Sequence, residues 1–341
     1  MEKQIILGES YLLTQALEQL SLIAPLNKPV LIVGERGTGK ELIAERLHFL
    51  SSRWQKPFLK INCAALNENL LESTLFGHEA GAFTGAIKNS RGLFERAHEG
   101  TLFLDELGTV SSQVQEKLLR VIEYGEFERL GGQQSISTDV RIVAATNADL
   151  IEMAKSGKFR ADLLDRLAFD VINLPPLRYR PEDILILAEH FAISMSRELS
   201  REIFMGFSAN AERTLLEHPW PGNIRELKNV VQRSVYRQQD ASAPVANIIL
   251  NPFATTWPTD IESAATNPAA SDKAVNSDPI VESQETSRNL KQQIIEFECR
   301  QLTLSLRENH YHQRNTASAL GLTYHQLRAY LKKYPQLLAR D

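Results

Sequence analysis

Two short stretches of the chain carry residues suited to holding and cleaving a phosphate chain. The first, GERGTGKE at 34–41, follows an apolar run and opens a helical pattern; its glycines let backbone N–H groups close around phosphate oxygens. Lys40 would reach the terminal phosphates beside the positive end of the helix dipole. The second stretch, TLFLDE at 101–106, ends in Asp105 and Glu106. Asp105 would hold Mg²⁺ and Glu106 would activate a water, so the pair predicts a nucleotide-hydrolysing site.

Two polar positions bear on that prediction. The P-loop pattern places a Ser or Thr hydroxyl for Mg²⁺ directly after the lysine, whereas this chain has Glu41. Asn147 ends the apolar run VRIVAATN, where its amide is placed to hydrogen-bond the attacking water or the γ-phosphate. The acidic pair compensates for the missing hydroxyl, and the asparagine predicts a polar sensor.

Phosphoryl transfer also needs positive charge near the moving phosphoryl group. FRADLLDRL contains Arg160 and Arg166, and WPGNIREL contains Arg225. A solvated helix face, with Asp162 and Asp165 as partners inside the helix, explains the first two arginines as well as catalysis does.

The hexapeptide GAFTGA at 81–86 holds no good nucleophile, acid, base or metal ligand. Gly81 and Gly85 permit backbone shapes closed to other residues, Phe83 offers apolar contact area and Thr84 offers a hydroxyl. The hexapeptide is either an incidental turn or an exposed loop that contacts a partner.

The elements that must position these residues alternate between strand and helix. Buried-strand patterns occupy 29–34, 101–106, 140–147 and 169–175, and amphipathic helical patterns such as SSQVQEKLLRVIEYGE lie between them. Such alternation predicts an α/β domain with a mostly parallel sheet. After about 176 the pattern becomes purely helical, which predicts a smaller helical lid.

Length and composition bound the class of protein. The 341 residues are enough for two or three domains, with 43% hydrophobic and 23% charged residues and a net charge of −4. Cys63 and Cys299 are far apart, so neither a disulfide framework nor zinc spacing is present. The N-terminus has no signal-peptide pattern and no run reaches transmembrane length, so we expect a cytoplasmic protein.

The composition changes near residue 241. The stretch 241–287 is rich in Ala, Ser, Thr, Pro and Asp and is predicted to be a flexible linker. From 288 to 341 nine Lys or Arg residues face four Asp or Glu, a local charge of +5 that leaves about −9 on the rest. We therefore predict an ATPase core at 1–175, a lid at 176–240, the linker, and a basic helical domain at 288–341.

Within the last domain, HQRNTASALG, a glycine turn and TYHQLRAYLKK fit a helix-turn-helix. A helical hairpin used only for dimerisation is the alternative. If the segment binds DNA, polar groups of the second helix and one arginine before it would reach bases or phosphates. These predicted DNA-binding residues are Arg314, Thr323, Tyr324, His325, Gln326 and Arg328.

Taken together, GERGTGKE, FGHEAGAFTGA, GTLFLDE, FRADLLDRL and WPGNIREL resemble, in this order, the AAA+ domain of bacterial enhancer-binding proteins. Members of that family activate sigma-54 RNA polymerase, and the resemblance covers residues 5–240. The C-terminal segment resembles the Fis-type DNA-binding domain that ends these activators and acts as a dimer on enhancer DNA. Within the family, stretches such as VQEKLLRVIEYGE and LGLTYHQ are similar to those of members that act in the phage-shock response.

The resemblance implies roles for individual residues. ATP and Mg²⁺ are the implied cofactors, and Asn62 matches a switch asparagine that holds the catalytic Glu106 until the γ-phosphate is sensed. Arg160 and Arg166 match arginine fingers that reach a neighbouring subunit's site, which implies a hexameric ring, and Arg225 matches sensor II. The implied nucleotide-binding residues are Gly34, Glu35, Arg36, Gly37, Thr38, Gly39, Lys40, Glu41 and Arg225. The implied sigma-54 contacts are Gly81, Ala82, Phe83, Thr84, Gly85 and Ala86.

Control of the activity is a separate expectation. Because the P-loop begins at 34, a receiver domain of the kind many relatives carry is not expected before it. Control would then come from the expression level or from a partner acting in trans, and the partner that the resemblance implies is an inhibitor similar to PspA, a membrane-stress protein. Trp54, flanked by polar residues, is the candidate contact; a partly buried loop anchor explains it equally well.

Two other classes of function compete with sigma-54 activation. A DNA-binding repressor of sigma-70 promoters with an idle ATPase domain would be expected to have lost GAFTGA or its ATP motifs, and both are whole here. A general AAA+ loader or unfoldase would need pore-loop aromatics and gives no reason for the hexapeptide or the terminal helix-turn-helix. The sequence therefore favours the activator.

Overall fold

The computed structural model describes residues 6–253 and, towards the C-terminus, residues 299–300, 302–306, 309, 312–320, 322 and 324–334. The chain divides into two compact units, Met1–Pro258 and Thr259–Asp341. Among the described residues, none of the helices is long and apolar enough to cross a membrane.

The first unit is built on a five-stranded sheet in which every neighbouring pair is parallel. Its strands are β1 (Val30–Val33), β2 (Phe58–Asn62), β5 (Thr101–Asp105), β8 (Arg141–Thr146) and β9 (Val171–Asn173). The spatial order is β2-β5-β8-β1-β9. The predicted parallel α/β sheet is confirmed, and β2 is a strand that the sequence patterns did not reveal.

Helices cover both faces of the sheet, so its strands read as continuous apolar runs. In β5, Leu102 and Leu104 enter one core cluster while Phe103, between them, enters the other. The second of these clusters lies under α1 and α2, and the first lies under α3 to α7. The helices of this part are α1 (Tyr11–Ile23), α2 (Lys40–Phe49), α3 (Glu68–Phe76), α4 (Leu93–Arg96), α5 (Ser112–Tyr124), α6 (Leu150–Lys155) and α7 (Ala161–Leu167).

Two short antiparallel hairpins extend from this core. The first pairs β3 (Gly77–His78) with β4 (Ser90–Arg91), and its loop contains GAFTGA. The second pairs β6 (Glu126–Glu128) with β7 (Ser135–Ser137). Because both hairpins are inserted next to helices of the core, they present loops without interrupting the main sheet.

The lid consists of α8 (Pro181–Glu198), α9 (Ala209–Glu217) and α10 (Asn223–Arg237). Its core surrounds the fully buried Trp220, whose Nε1 donates to the Leu215 carbonyl at 2.8 Å. The packed lid also extends beyond the boundary predicted at 240. Val245 is buried in this core, and the Arg233 guanidinium binds the Ile249 carbonyl at 3.0 Å. A linker beginning at 241 is therefore wrong, because apolar residues scattered among small polar ones complete the lid.

In the C-terminal unit the described helices include α11 (Gln313–Ala319) and α12 (Tyr324–Lys333). Leu302 and Leu306 from the preceding helical residues pack with Ala317, Leu327 and Leu331. Ala317, Leu327 and Leu331 belong to the two stretches that the sequence analysis assigned to the helix-turn-helix. The assignment of these helices to a DNA-binding helix-turn-helix remains a prediction.

Candidate nucleotide-binding site and contact loops

The predicted phosphate loop lies where parallel β1 ends and α2 begins. Gly37 and Gly39 have φ angles of +82° and +96°, in the left-handed region. A Cβ added to Gly37 would lie 2.4 Å from the carbonyl oxygen of Gly222 in the lid, so no larger residue fits. The loop therefore has the backbone freedom and the helix N-terminus that a phosphate site needs.

Lys40 is tucked into this loop and is only 7% exposed. Its Nζ donates to the carbonyl oxygens of Gly34 at 2.9 Å and Glu35 at 3.3 Å. Burial lowers the pKa of Lys40, and the carboxylates of Glu106 and Asp105 partly offset that effect. The ammonium group and the two carboxylates therefore share one electrostatic environment, although they are distant in sequence.

Asp105 ends β5, and Glu106 follows it in a left-handed conformation with φ +55°. The Glu106 N–H donates to Asp105 Oδ1 at 3.0 Å, and both residues are half-buried. A non-glycine residue in this region of backbone space is uncommon and is often found at functional sites. The turn redirects the second carboxylate from the strand direction while keeping it beside the first.

Asn62 ends β2 and pairs in register with Asp105. Its Oδ1 accepts the Ala64 N–H at 2.9 Å, so the side chain caps a short 3-10 helix, Cys63–Ala65. Asn147 follows β8 and is exposed, one residue after Thr146, whose carbonyl accepts the Gly34 N–H at 3.2 Å. The carboxyl ends of β2, β5, β8 and β1 thus bring the predicted polar residues to one edge of the sheet.

The lid is docked on the phosphate loop through a residue that sequence reasoning missed. Asn223 is fully buried, and its Nδ2 donates at 3.1 Å to both Glu35 Oε2 and the Arg36 carbonyl. Glu35 also forms a two-bond ion pair with Arg178. The turn residues of WPGN were the only sign in the sequence that Asn223 has a special role. They could not reveal its partners, because Glu35 and Arg36 lie nearly two hundred residues earlier in the chain.

Of the other residues of the predicted site, Arg225 and Glu41 lie at its margin and Thr38 lies inside it. Arg225, in the first turn of α10, is exposed, and its Cβ would lie 3.1 Å from a Cβ added to Gly37. Glu41 is 57% exposed and forms an ion pair with Lys60 at 2.7 Å. Thr38 is buried, and its hydroxyl donates to the Glu35 carbonyl.

The two predicted arginine fingers are exposed and have partners in the same chain. Arg160 forms two bonds to Asp162, at 3.0 and 2.7 Å, as the helix-face alternative expected. Arg166 binds Glu123 of α5 at 2.7 Å, and 56% of its side chain is exposed. Their reach into a neighbouring subunit remains a prediction.

GAFTGA forms a compact exposed turn. Gly81 and Gly85 have φ angles of +86° and +103°, and the Gly81 N–H donates to the Ala86 carbonyl at 2.8 Å. Phe83 is 43% exposed and packs edge-on against His78, with ring centroids 5.0 Å apart. The hexapeptide therefore presents an aromatic ring and the neighbouring, exposed Thr84 at the surface.

A second loop, 129–134 between β6 and β7, braces the first and was not predicted. The Glu79 N–H donates to the Leu130 carbonyl at 3.0 Å, and a Cβ on Gly131 would lie 2.8 Å from the Ala82 Cβ. The Arg129 guanidinium joins this loop to Glu95 of α4 by two bonds of 2.8 and 2.7 Å. A cleft of about 810 Å³ is lined by Ala82 of the first loop, by 129–132 of the second and by residues of α5. The two glycines of RLGG were the only sequence signal for this contact.

The remaining predicted contact residues lie on two other surfaces. Trp54 is 53% exposed and packs edge-on against Phe49, with ring centroids 6.2 Å apart. On α12, Tyr324 and Arg328 are exposed, and the guanidinium lies 5.9 Å from the tyrosine ring centroid. Arg314 lies on α11, and His325 and Gln326 lie on α12, while Thr323 falls outside the described residues.

Comparison with known families identifies the first unit. The sigma-54 interaction domain family matches residues 6–173, and the AAA+ ATPase lid domain family matches residues 178–249. The chain belongs to the sigma-54-interacting AAA+ activators. The activator therefore has the ATPase fold of that family, with the P-loop at the site described above.

Individual relatives agree with this assignment. The activator is 57% identical to the Psp operon transcriptional activator of Escherichia coli K12, over 97% of this chain and 98% of the relative. It is 48% identical to the Nif-specific regulatory protein of Azotobacter vinelandii, over 70% of this chain and 46% of that protein. It is also 43% identical to the regulatory protein AtoC of Escherichia coli K12, over 96% of this chain and 67% of that protein.

Solved structures of NtrX from Brucella abortus are similar in fold. The complex of NtrX with ADP gives a TM-score of 0.68 at 28% identity, over 97% of this chain and 70% of NtrX. The complex with ATP gives 0.67 at 29% identity, over 96% of this chain and 69% of NtrX.

Proposed function

We propose that this activator assembles as a hexameric ring and couples ATP hydrolysis to the opening of sigma-54 promoters. GAFTGA would contact sigma-54 RNA polymerase, and the C-terminal unit would hold the ring at upstream enhancer DNA. The observation that carries the proposal is the pairing, on one α/β core, of an intact phosphate loop with an exposed GAFTGA turn. The sigma-70 repressor alternative gives neither feature a use.

At the nucleotide site, the predicted residues would bind the phosphates, take a proton from the attacking water and balance the charge of the γ-phosphate. The loop amides from Gly34 to Lys40 and the Lys40 ammonium would bind phosphate oxygens, and Glu106 would orient and activate the attacking water. Asn147 would sense the γ-phosphate, and Arg225 would add positive charge from the lid. The left-handed turn at Glu106 and the burial of Lys40 support these roles.

Asp105 fits a Mg²⁺ ion. Its carboxylate ends β5, is half-buried and uses Oδ1 for the Glu106 N–H, and Mg²⁺ prefers oxygen ligands of this kind. When bound, Mg²⁺ would neutralise negative charge on the phosphates.

The proposed ring rests on Arg160 and Arg166, which would act as fingers in a neighbouring subunit's site. Both are exposed, and exposed ion pairs such as those with Asp162 and Glu123 are weak enough to exchange partners. Asn62 would act as the switch in the subunit's own site by leaving its cap on Ala64 for Glu106.

DNA binding is proposed for the C-terminal unit. Between 309 and 340 the sequence has five basic residues and no acidic one. Arg328 and Tyr324 are exposed on α12, and such side chains can contact phosphates or base edges. Arg314, Thr323, His325 and Gln326 complete the proposed contact set.

The test is open-complex formation on a sigma-54 promoter with ATP, using templates with and without the upstream site. We expect the wild-type chain to open the promoter, and to need more protein when the upstream site is removed. Thr84→Ala should keep its ATPase rate within about threefold but lose at least about tenfold in open complexes, because only the contact is altered. ATPase rate and open complexes are measured in parallel.

Ser90→Ala, on the same hairpin and also exposed, is the matched control and should behave as wild type. The proposal fails if the wild-type chain hydrolyses ATP but never opens sigma-54 complexes. If that protein binds DNA and represses a sigma-70 promoter, the repressor alternative replaces it.

The target operon is proposed from the similarity to the Psp operon transcriptional activator, and its control is proposed from the exposed Trp54. We propose that the activator serves a phage-shock operon and is inhibited by a PspA-like protein at Trp54. Trp54→Ala should raise the concentration of PspA-like protein needed for half-inhibition of the ATPase by about tenfold, since exposed Trp residues often dominate contacts. Tyr236→Ala, at an exposed aromatic of the lid, is the control. Equal sensitivity of the wild-type and Trp54→Ala proteins would contradict this contact.

A further inference from the structure

The phosphate loop carries a carboxylate that is committed to the lid. Glu35, the second residue of GERGTGKE, accepts two bonds from the Arg178 guanidinium, at 2.6 and 2.9 Å. Arg178 lies in the 3-10 helix Leu177–Tyr179, where the chain leaves β9 and enters the lid. Hydrogen bonds from Arg178 and then Asn223 hold the pKa of Glu35 at about 2, so the carboxylate is ionised at neutral pH.

Asn223 joins three segments at the same point. Its Oδ1 accepts the Leu177 N–H at 2.7 Å, while its Nδ2 donates to Glu35 Oε2 and to the Arg36 carbonyl. The residue is fully buried and has φ +52°, a conformation that asparagine adopts more readily than most residues. The side-chain amide of Asn223 therefore makes one hydrogen bond to the segment that leads into the lid and two hydrogen bonds to the phosphate loop.

This clasp of Glu35, Arg178 and Asn223 fixes the start of α10 against the phosphate loop. The Ile224 N–H donates to the Gly37 carbonyl at 3.0 Å, directly after Asn223. Arg225 comes next, and its positive charge adds a smaller contribution to the lowering of the Lys40 pKa that burial mainly causes. Lid and loop therefore meet with Arg225 within electrostatic range of the phosphate-binding lysine.

The ion pair in the clasp is too exposed to serve mainly as a stabilising contact. The side chains of Glu35 and Arg178 are 41% and 38% exposed, and ion pairs of that exposure contribute little to the stability of a fold. A role in positioning does not need a large contribution to stability. Small misplacements of a charged group at a reacting phosphate reduce turnover strongly, so even a weak contact that fixes the position matters.

We propose that Glu35, Arg178 and Asn223 are positioning residues. They form a clasp that holds Arg225 of the lid next to the phosphate loop, where its positive charge can act on the bound phosphates. The clasp rests on the proposed ATPase function and deepens it. Glu35 is then a lid-binding residue of the loop, with its side chain serving Arg225 rather than the nucleotide.

The test is a set of mutant cycles on the ATPase of the full chain. Glu35→Gln and Arg178→Ala should each lower kcat by about tenfold, with the Kd for ADP within about threefold of wild type. Because both act through one contact, the double variant should be no slower than either single one. In an Arg225→Ala background, Glu35→Gln should have no further effect.

Asp139→Asn is the matched control, since Asp139 forms a two-bond pair with Arg53 on another surface. Its kcat should equal that of the wild type. The melting temperature of every variant is recorded, and Arg178→Ala carries the test if Glu35→Gln does not fold. The clasp is overturned if kcat stays within twofold, or if the effects of Glu35→Gln and Arg225→Ala multiply. A wild-type chain without ATPase activity would instead reject the proposed function.

Discussion

Glu106→Gln is expected to lower kcat for ATP hydrolysis by about two to four orders of magnitude while ATP binding changes little. The amide keeps the size of the side chain and its left-handed turn after Asp105, but it cannot accept a proton from the attacking water. In the proposed site, the loop amides and Lys40 bind the phosphates, and the substitution does not alter them. Steady-state hydrolysis and equilibrium binding of a fluorescent ATP analogue measure the two effects separately.

Glu99→Gln provides the control for the unusual backbone. Glu99 also has a positive φ, +59°, but it is exposed and pairs with Lys56 away from the phosphate loop. We expect its kcat to match the wild type, so a loss confined to Glu106→Gln reports chemistry rather than strain. Hydrolysis within threefold of wild type in Glu106→Gln would assign water activation to another group.

The parts of the site that the sequence predicted are those carried by local patterns. A phosphate loop needs a strand, closely spaced glycines and a helix start, all within a dozen residues, so the position of Lys40 was readable. The same holds for β5, where three apolar residues, Leu102 to Leu104, precede Asp105. GAFTGA was readable as a turn because Gly81 and Gly85 lie close together in it.

The parts that were missed depend on contacts between distant positions. The role of Asn223 follows from its bonds to Glu35 and Leu177, and neither neighbour is visible in WPGN. β2 has a lysine among its apolar residues and lies at the sheet edge, so its pattern is weak. The lid's final segment was hidden by composition, because buried Val245 lies among small and polar residues.

A mixing experiment separates residues that act within a subunit from residues that act on a neighbour. Lys40→Ala removes the ammonium proposed to bind phosphate but leaves Arg166, and Arg166→Ala leaves the phosphate loop whole. If Arg166 acts in a neighbouring site, each protein alone should be nearly inactive. An equal mixture should recover about a quarter of the wild-type ATPase, because about a quarter of the interfaces combine an intact loop with an intact finger.

The matched control is an equal mixture of Lys40→Ala with Glu106→Gln. Both defects lie in the same subunit's site, so every site in the mixture remains impaired and no activity should return. Arg166 is 56% exposed and bound to Glu123 at 2.7 Å, so releasing it to a neighbour costs little. If the Lys40→Ala and Arg166→Ala mixture stays at the mean of its two components, Arg166 acts within its own subunit. Arg166 would then function while paired with Glu123 of its own chain, and the proposed hexameric ring would lose the main observation that supports it.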